Sequence, residues 1–181
     1  FDSGTGELIE TIAVPQDLMT ETSWPRFDDP QASADGRSLW VSLHVGGERD
    51  IYHIALGDLA DLTDSTSRRF TRLTGPHTME LDLRLTSDQR YLLYSSDRGG
   101  LWNVYALELA TGRHLQLTDT VTGAFQPTVS PDGQTLVYRR WTADGAELRR
   151  LPFRPDLALE VQPMAEPATR VYAAPSPTPL T

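Results

Sequence analysis

The chain has 181 residues, a length for one domain or for a section of a larger one. Its 16 basic residues face 25 acidic ones, a formal charge of −9, and such a surface repels phosphate backbones and anionic lipid, so no nucleic acid is expected; no apolar run is long enough for a membrane-crossing helix, so no direct membrane insertion is expected either. It has no cysteine, and its only strongly basic side chains are arginines, which excludes disulfides, thiolate nucleophiles, Cys-ligated zinc, Schiff bases and P-loop lysines.

Taken in chain order, residues 1–26 read as the end of one unit and a connection. Phe1–Ile9 matches Leu107–Leu115 when Gly6 is laid on Gly112, which predicts a hairpin end and a strand over Leu8–Ala13. Asp2-Ser3-Gly4-Thr5 resembles the catalytic loop of aspartic proteases. That chemistry needs two carboxylates sharing a proton, and only one copy is present. The match to Ala110-Thr111-Gly112 explains the same residues as a turn, and the turn is favoured. The sequence opens at Phe1 without the charged-then-apolar pattern of a secretory leader, as expected if a leader was removed or if these residues belong to a longer chain.

From there the sequence repeats. Ser33-Ala34-Asp35-Gly36, Thr86-Ser87-Asp88-Gln89 and Ser130-Pro131-Asp132-Gly133 serve as anchors. Four residues after each aspartate stand Leu39, Leu92 and Leu136, and six after stand Val41, Tyr94 and Tyr138. Fifteen after stand Asp50, Asn103 and Glu147; sixteen after, Ile51, Val104 and Leu148. Columns that keep their character over so many positions are the mark of a repeat protein. The first spacing is nine residues longer than the second, and the polar stretch Gly57–Arg69 is the predicted insertion.

Each copy reads as short alternating strands between turns, with no helical periodicity: one before the anchor (Pro30–Ser33, Leu81–Leu85, Phe125–Ser130), then three more. Four antiparallel strands in a repeat of about 40–45 residues predict β-propeller blades. The predicted divisions are blades at 27–74, 75–118 and 119–162, and a Pro-rich tail or linker at 163–181. Three blades and an extra strand do not close a ring of the usual 4–8 blades. The remaining blades are expected elsewhere in the same protein, in a partner chain or in a second copy of this chain, with apolar end faces meeting them.

Candidate chemistry is sparse. His44, His53, His77 and His114 are dispersed, without metal-ligand spacing, and no metal or cofactor site is expected. Asp29, Asp82 and Gln126 share the column six residues before the anchor. They are candidate channel-rim contacts for a cation, a peptide amine or a partner's basic group. The competing reading, favoured, is that they hydrogen-bond neighbouring backbone where units meet. Trp40, Trp102 and Trp141 are expected to pack between units. Arg68-Arg69, Arg139-Arg140 and Arg149-Arg150 are expected to form solvated ion pairs.

Ser130-Pro131-Asp132-Gly133-x-x-Leu136-x-Tyr138 resembles the signature of TolB-type β-propeller repeats. So does Tyr94-Ser95-Ser96-Asp97-Arg98-Gly99-Gly100 leading to Val104-Tyr105, Thr111-Gly112 and Leu117-Thr118. The resemblance runs from Phe27 to Phe153. Ala34, Ser87 and Gln89 depart from it at turn positions. It implies a non-catalytic binding and scaffolding module of the bacterial envelope, periplasmic or outer-membrane associated, with protein partners. The alternative is the substrate-gating propeller of a serine peptidase of the prolyl-oligopeptidase or tricorn kind, its hydrolase domain lying outside these residues.

Overall fold

The computed structural model describes residues 11–12, 14, 18, 25–56 and 67–162, and the strand at 168–173. The described residues form mainly strands and turns, and a short 3-10 turn spans Pro155–Leu157. The first sheet holds β1 (Arg26–Ala32), β2 (Ser38–Val45), β3 (Glu48–Ala55) and β4 (Ser67–Arg72). The second holds β5 (Glu80–Leu85), β6 (Tyr91–Ser96), β7 (Asn103–Glu108) and β8 (Arg113–Gln116). The third holds β9 (Ala124–Val129), β10 (Thr135–Thr142) and β11 (Gly145–Pro152). Within each sheet, neighbours in sequence pair antiparallel.

Three turns of one design start these sheets. In each, the anchor aspartate accepts a hydroxyl and a backbone N–H. Thr86 Oγ1 donates to Asp88 Oδ1 at 2.6 Å and the Arg90 N–H donates to the same oxygen at 3.1 Å. Ser130 and the Gln134 N–H repeat this on Asp132, as do Ser33 and the Arg37 N–H on Asp35. These donors hold all three carboxyls below the ordinary range, at Asp88 against a desolvation cost. The fourth turn residue is left-handed in every copy: Gly36 at φ 70°, Gly133 at 73° and Gln89 at 56°. Gln89 holds a conformation that favours glycine. Its side chain repays part of the cost by accepting the Ala34 N–H of the neighbouring sheet's turn at 3.1 Å.

Side-chain alternation builds the seams. Trp40 and Ile51 of the first sheet meet Leu83, Leu92, Tyr94, Tyr105 and Leu107 of the second. Tyr91, Leu93, Val104, Ala106 and Leu115 on the other side of the second sheet meet Ala124, Leu136, Tyr138 and Phe153. The columns four and six after the anchor are therefore core, although Leu39 is only half-buried. The outer side of the first sheet is not a bare end face. Val41, Leu43, Tyr52, Ile54 and Phe70 are covered there by Ile12, Val14 and Leu18.

Two strands depart from the sequence expectation. β12 (Leu159–Val161) occupies the sequence position of a fourth strand for the third repeat, yet it pairs with β8 of the second sheet. The turn at Pro155–Leu157 sends the chain back over the second sheet, where Val161 packs on the first seam and Glu160 meets Arg113 at 3.5 Å. β13 (Ala168–Ala173) lies in the segment expected to be a tail, and it pairs with β4. Both additions cover sheet edges that would otherwise expose unpaired backbone. The insertion at 57–66, Asp2–Thr5 and most of Leu8–Ala13 lie outside the described residues.

Leu92 is completely enclosed. Leu92→Ala is expected to lower unfolding free energy by about 2–5 kcal/mol in urea titrations. A loss under about 0.5 kcal/mol, typical of a surface position, would contradict this packing.

Candidate functional site

The three rim candidates share one backbone feature. Opposite the column Val41, Tyr94 and Tyr138, each innermost strand carries two residues against one: Asp29-Pro30, Asp82-Leu83 and Gln126-Pro127. These are β-bulges, and the first residue of each pair is left-handed, with φ of 53° at Asp29, 60° at Asp82 and 52° at Gln126. Holding a non-glycine residue there costs of order 1–2 kcal/mol.

What offsets that cost is the position of the N–H. The Asp82 N–H donates to Asp29 Oδ2 at 2.8 Å, and the Gln126 N–H donates to Asp82 Oδ2 at 3.0 Å. Ser95 Oγ adds a bond to Asp82 Oδ2 at 2.9 Å. One sheet's side chain thus binds the next sheet's bulge. Bonds to a charged acceptor are worth about 1.5–3 kcal/mol each. A parallel bond joins the Leu85 N–H to Gln31 Oε1 at 3.1 Å. The column is brought together as a ladder along β1, β5 and β9.

The column fifteen after the anchor divides. Asp50 and Asn103 are buried and organise the last strand of their sheets. Asn103 Oδ1 accepts Thr118 Oγ1 at 2.9 Å and the Thr120 N–H at 2.8 Å, while the Val104 N–H donates to Thr118 Oγ1 at 2.9 Å. In the first copy Asp50 accepts Thr74 Oγ1 at 3.2 Å and Arg72 Nη2 at 2.6 Å. Burial pushes the Asp50 carboxyl up to about 7, against the pull of Arg72 and Thr74. Glu147 stands half-exposed, bound by Arg149 at 2.7 Å and Arg140 at 3.7 Å.

Sequence reading missed the buried pair Glu80–Arg98. Glu80 is fully buried and Arg98 Nη2 lies 3.6 Å from its Oε1. Ser96 Oγ donates to the same oxygen at 3.0 Å. The Arg98 guanidinium stands over the Tyr105 ring at 5.2 Å and the Tyr94 ring at 5.7 Å. Desolvation raises the Glu80 carboxyl against the hydroxyl of Thr78 and the Arg98 charge. The aligned positions in the other repeats are Phe27 with Val45 and Ala124 with Thr142. A buried charge pair in a slot that is largely apolar elsewhere was the available signal. No periodicity points to it.

Two of the histidines, His53 and His114, line one cleft. His114 is buried, its Nδ1 bonded to the Tyr94 hydroxyl at 2.7 Å, and burial and the Arg98 charge hold it down to about 4. His53 Nε2 lies 3.0 Å from Ser38 Oγ. Among the described residues no group of three or more His, Asp or Glu side chains could hold a metal ion. A cleft of about 180 Å³ between Trp40, His53, Leu73, Leu107, Leu109 and His114 has mainly apolar walls. Of the tryptophans, Trp40 packs in the first seam, Trp102 lies 5.2 Å from the Phe125 ring, and Trp141 is 44% exposed.

No family model matches the chain. A 51-residue stretch is 41% identical to the Tol-Pal system protein TolB of Francisella tularensis subsp. tularensis strain WY96-3418, covering 28% of this chain and 12% of that protein. The same match is found in the subsp. holarctica strain LVS. The chain therefore spans only a small part of the curated relatives it matches. Among solved structures it resembles a putative TolB from Agrobacterium tumefaciens, with a TM-score of 0.58 at 17% identity over 87% of this chain and 61% of that one. TolB from Acinetobacter baumannii gives a TM-score of 0.54 at 22% identity over 74% of this chain and 32% of that one. Puromycin hydrolase gives 0.55 at 18% identity over 76% of this chain and 22% of that one. The fold is that of a β-propeller. The three sheets are its blades, and the bulge ladder runs along the blades' innermost strands.

Two outcomes follow for the blades. Asp82→Ala removes the acceptor for Gln126 and Ser95 while keeping the left-handed backbone, and is expected to cost about 2–4 kcal/mol. Asp82→Asn keeps an oxygen acceptor and tolerates φ > 0, and should cost under about 1 kcal/mol; equal costs in chemical denaturation would contradict the ladder.

The second outcome concerns pH. Folded His114 holds its proton less tightly than the unfolded chain does. Its contribution is full above about pH 6.5 and is lost as pH falls through about 4. Asp50 runs the other way: its contribution is full below the ordinary carboxylate range and is lost as pH rises through about 7. Asp50→Asn should therefore make the melting temperature rise more steeply from pH 4 to 7 than it does in the parent. An unchanged slope would show that Asp50 titrates normally.

Proposed function

We propose that the chain is a non-catalytic binding and scaffolding section of a TolB-like propeller in the bacterial envelope, working through protein partners on the periplasmic side. One observation carries this. The polar columns that the sequence offered as chemistry are spent on the scaffold: Asp29 and Asp82 accept the next blade's backbone, and Asn103 fixes the end of its own blade. A general base or nucleophile needs a partner aimed at substrate, and these groups aim at backbone. The 41% match to Tol-Pal system protein TolB supports the same reading, as does the TolB-type pattern Ser130-Pro131-Asp132-Gly133.

The second reading is a gating propeller ahead of a hydrolase domain, and puromycin hydrolase shares the fold. That likeness supports only the fold, since fold alone does not carry activity.

The two readings separate by experiment. Osmotic shock of cells making the natural protein should release it with the periplasmic contents, and the purified protein should turn over no peptide, amide or ester substrate. Retention inside spheroplasts, or turnover abolished by one point substitution, would overturn the reading.

A further inference from the structure

The two seams obey one rule. Side chains five and sixteen residues after each anchor aspartate face the next blade. Trp40, Ile51, Leu93 and Val104 do so and are at most 9% exposed. Their counterparts in the third blade are Val137, half-buried, and Leu148, 78% exposed. Leu148 thus stands open where two earlier copies are sealed.

The same face also carries an arginine where the two sealed seams have serine. Seven residues after the anchor, Ser42 and Ser95 are fully buried. The third copy places Arg139 there, stacked over Phe125 at 5.8 Å and Trp141 at 5.1 Å. Its Nε is buried and has no hydrogen-bond partner among the described residues. Arg150, across the strand from Val137, is exposed. Neither arginine faces a carboxylate among the described residues, whereas Arg140 and Arg149 on the opposite side share Glu147. Two copies of this face brought together would set guanidinium against guanidinium, which is repulsive. The bulge ladder also has an open end: Asp29 and Asp82 each accept the following bulge N–H, and the Gln126 side chain, next in the series, is exposed.

We infer that this face of the third blade docks a further blade-type sheet of the same natural polypeptide. That sheet would present carboxylates to Arg139 and Arg150 and a bulge N–H to the Gln126 side-chain oxygen. The inference rests on the propeller reading and deepens it by fixing the face, the register and the charge of the partner surface. The TolB proteins that the chain resembles are much longer than the stretch it matches, which supports a partner sheet in the same polypeptide.

The region has no cysteine, so single introduced thiols report directly. Leu148→Cys, Trp141→Cys and, as an exposed reference, Val121→Cys are made in the full-length natural protein. Maleimide labelling is read peptide by peptide by mass spectrometry. Leu148→Cys and Trp141→Cys are expected to label at least 100-fold more slowly than Val121→Cys, whatever the protein concentration. Equal rates would overturn the inference. Protection lost on dilution would overturn the covalent sheet and assign the face to a second copy or another chain.

Adding Arg139→Glu or Arg150→Glu is expected to raise Leu148→Cys labelling at least tenfold while a Leu92→Cys probe stays protected. No change with either variant would exclude facing carboxylates. Loss of protection at Leu148 alone would leave the non-catalytic, periplasmic reading intact, because that reading stands on fractionation and turnover.

Discussion

A bulge N–H on each of the second and third blades, turned outward by a left-handed residue, ties that blade into register with the one before it. The strained residue would be a liability in an isolated sheet. Here the strain aims the N–H at a carboxylate on the blade before it, so the cost is met only when the blades are assembled. The apolar seams are non-directional. They would tolerate sliding of one sheet over another. The ladder fixes the offset, since the Asp29 carboxylate can reach only the one N–H turned toward it.

The same economy governs the other polar columns. Each anchor aspartate is spent on its own turn, and Asn103 with Thr118 closes the fourth strand of its blade. Two carboxyl–guanidinium pairs lie within the first two blades: Asp50 with Arg72 in the first, and the buried Glu80 with Arg98 in the second. Paired burial of this kind gains little over apolar packing in net stability but penalises any arrangement that separates the partners. Arg98 of that second pair stands over Tyr94 and Tyr105 of the first seam, while the second seam packs Tyr91, Tyr138 and Phe153.

The repeat was legible because blade cores are built by period-two alternation, and a conserved offset from one aspartate therefore lands on one face of a sheet. Leu92, Leu136, Tyr94 and Tyr138 are placed by that logic alone. The rim column was visible as a column, but its left-handed backbone was not. Aspartate and glutamine in mid-strand carry no glycine-like signal, and the acceptor for their N–H comes from a residue some 50 positions away. Pairing across blades defeats local pattern for the same reason. β12 and β13 have ordinary strand compositions, and nothing in them says which edge they cover. Leu148 shows the limit from the other side: its column predicts burial, and among the described residues no neighbour covers it.

Native-state hydrogen exchange at the Asp82 and Gln126 amides tests the ladder most directly. If the carboxylates of Asp29 and Asp82 bind these N–H groups, both amides exchange only through the opening that exposes Leu92 and Tyr94 in the core strand β6. Their protection should then match that of β6 within about tenfold. Exchange of both amides near the free-peptide rate, with β6 still protected, would mean that the bulges face solvent and that the ladder does not hold the blades together.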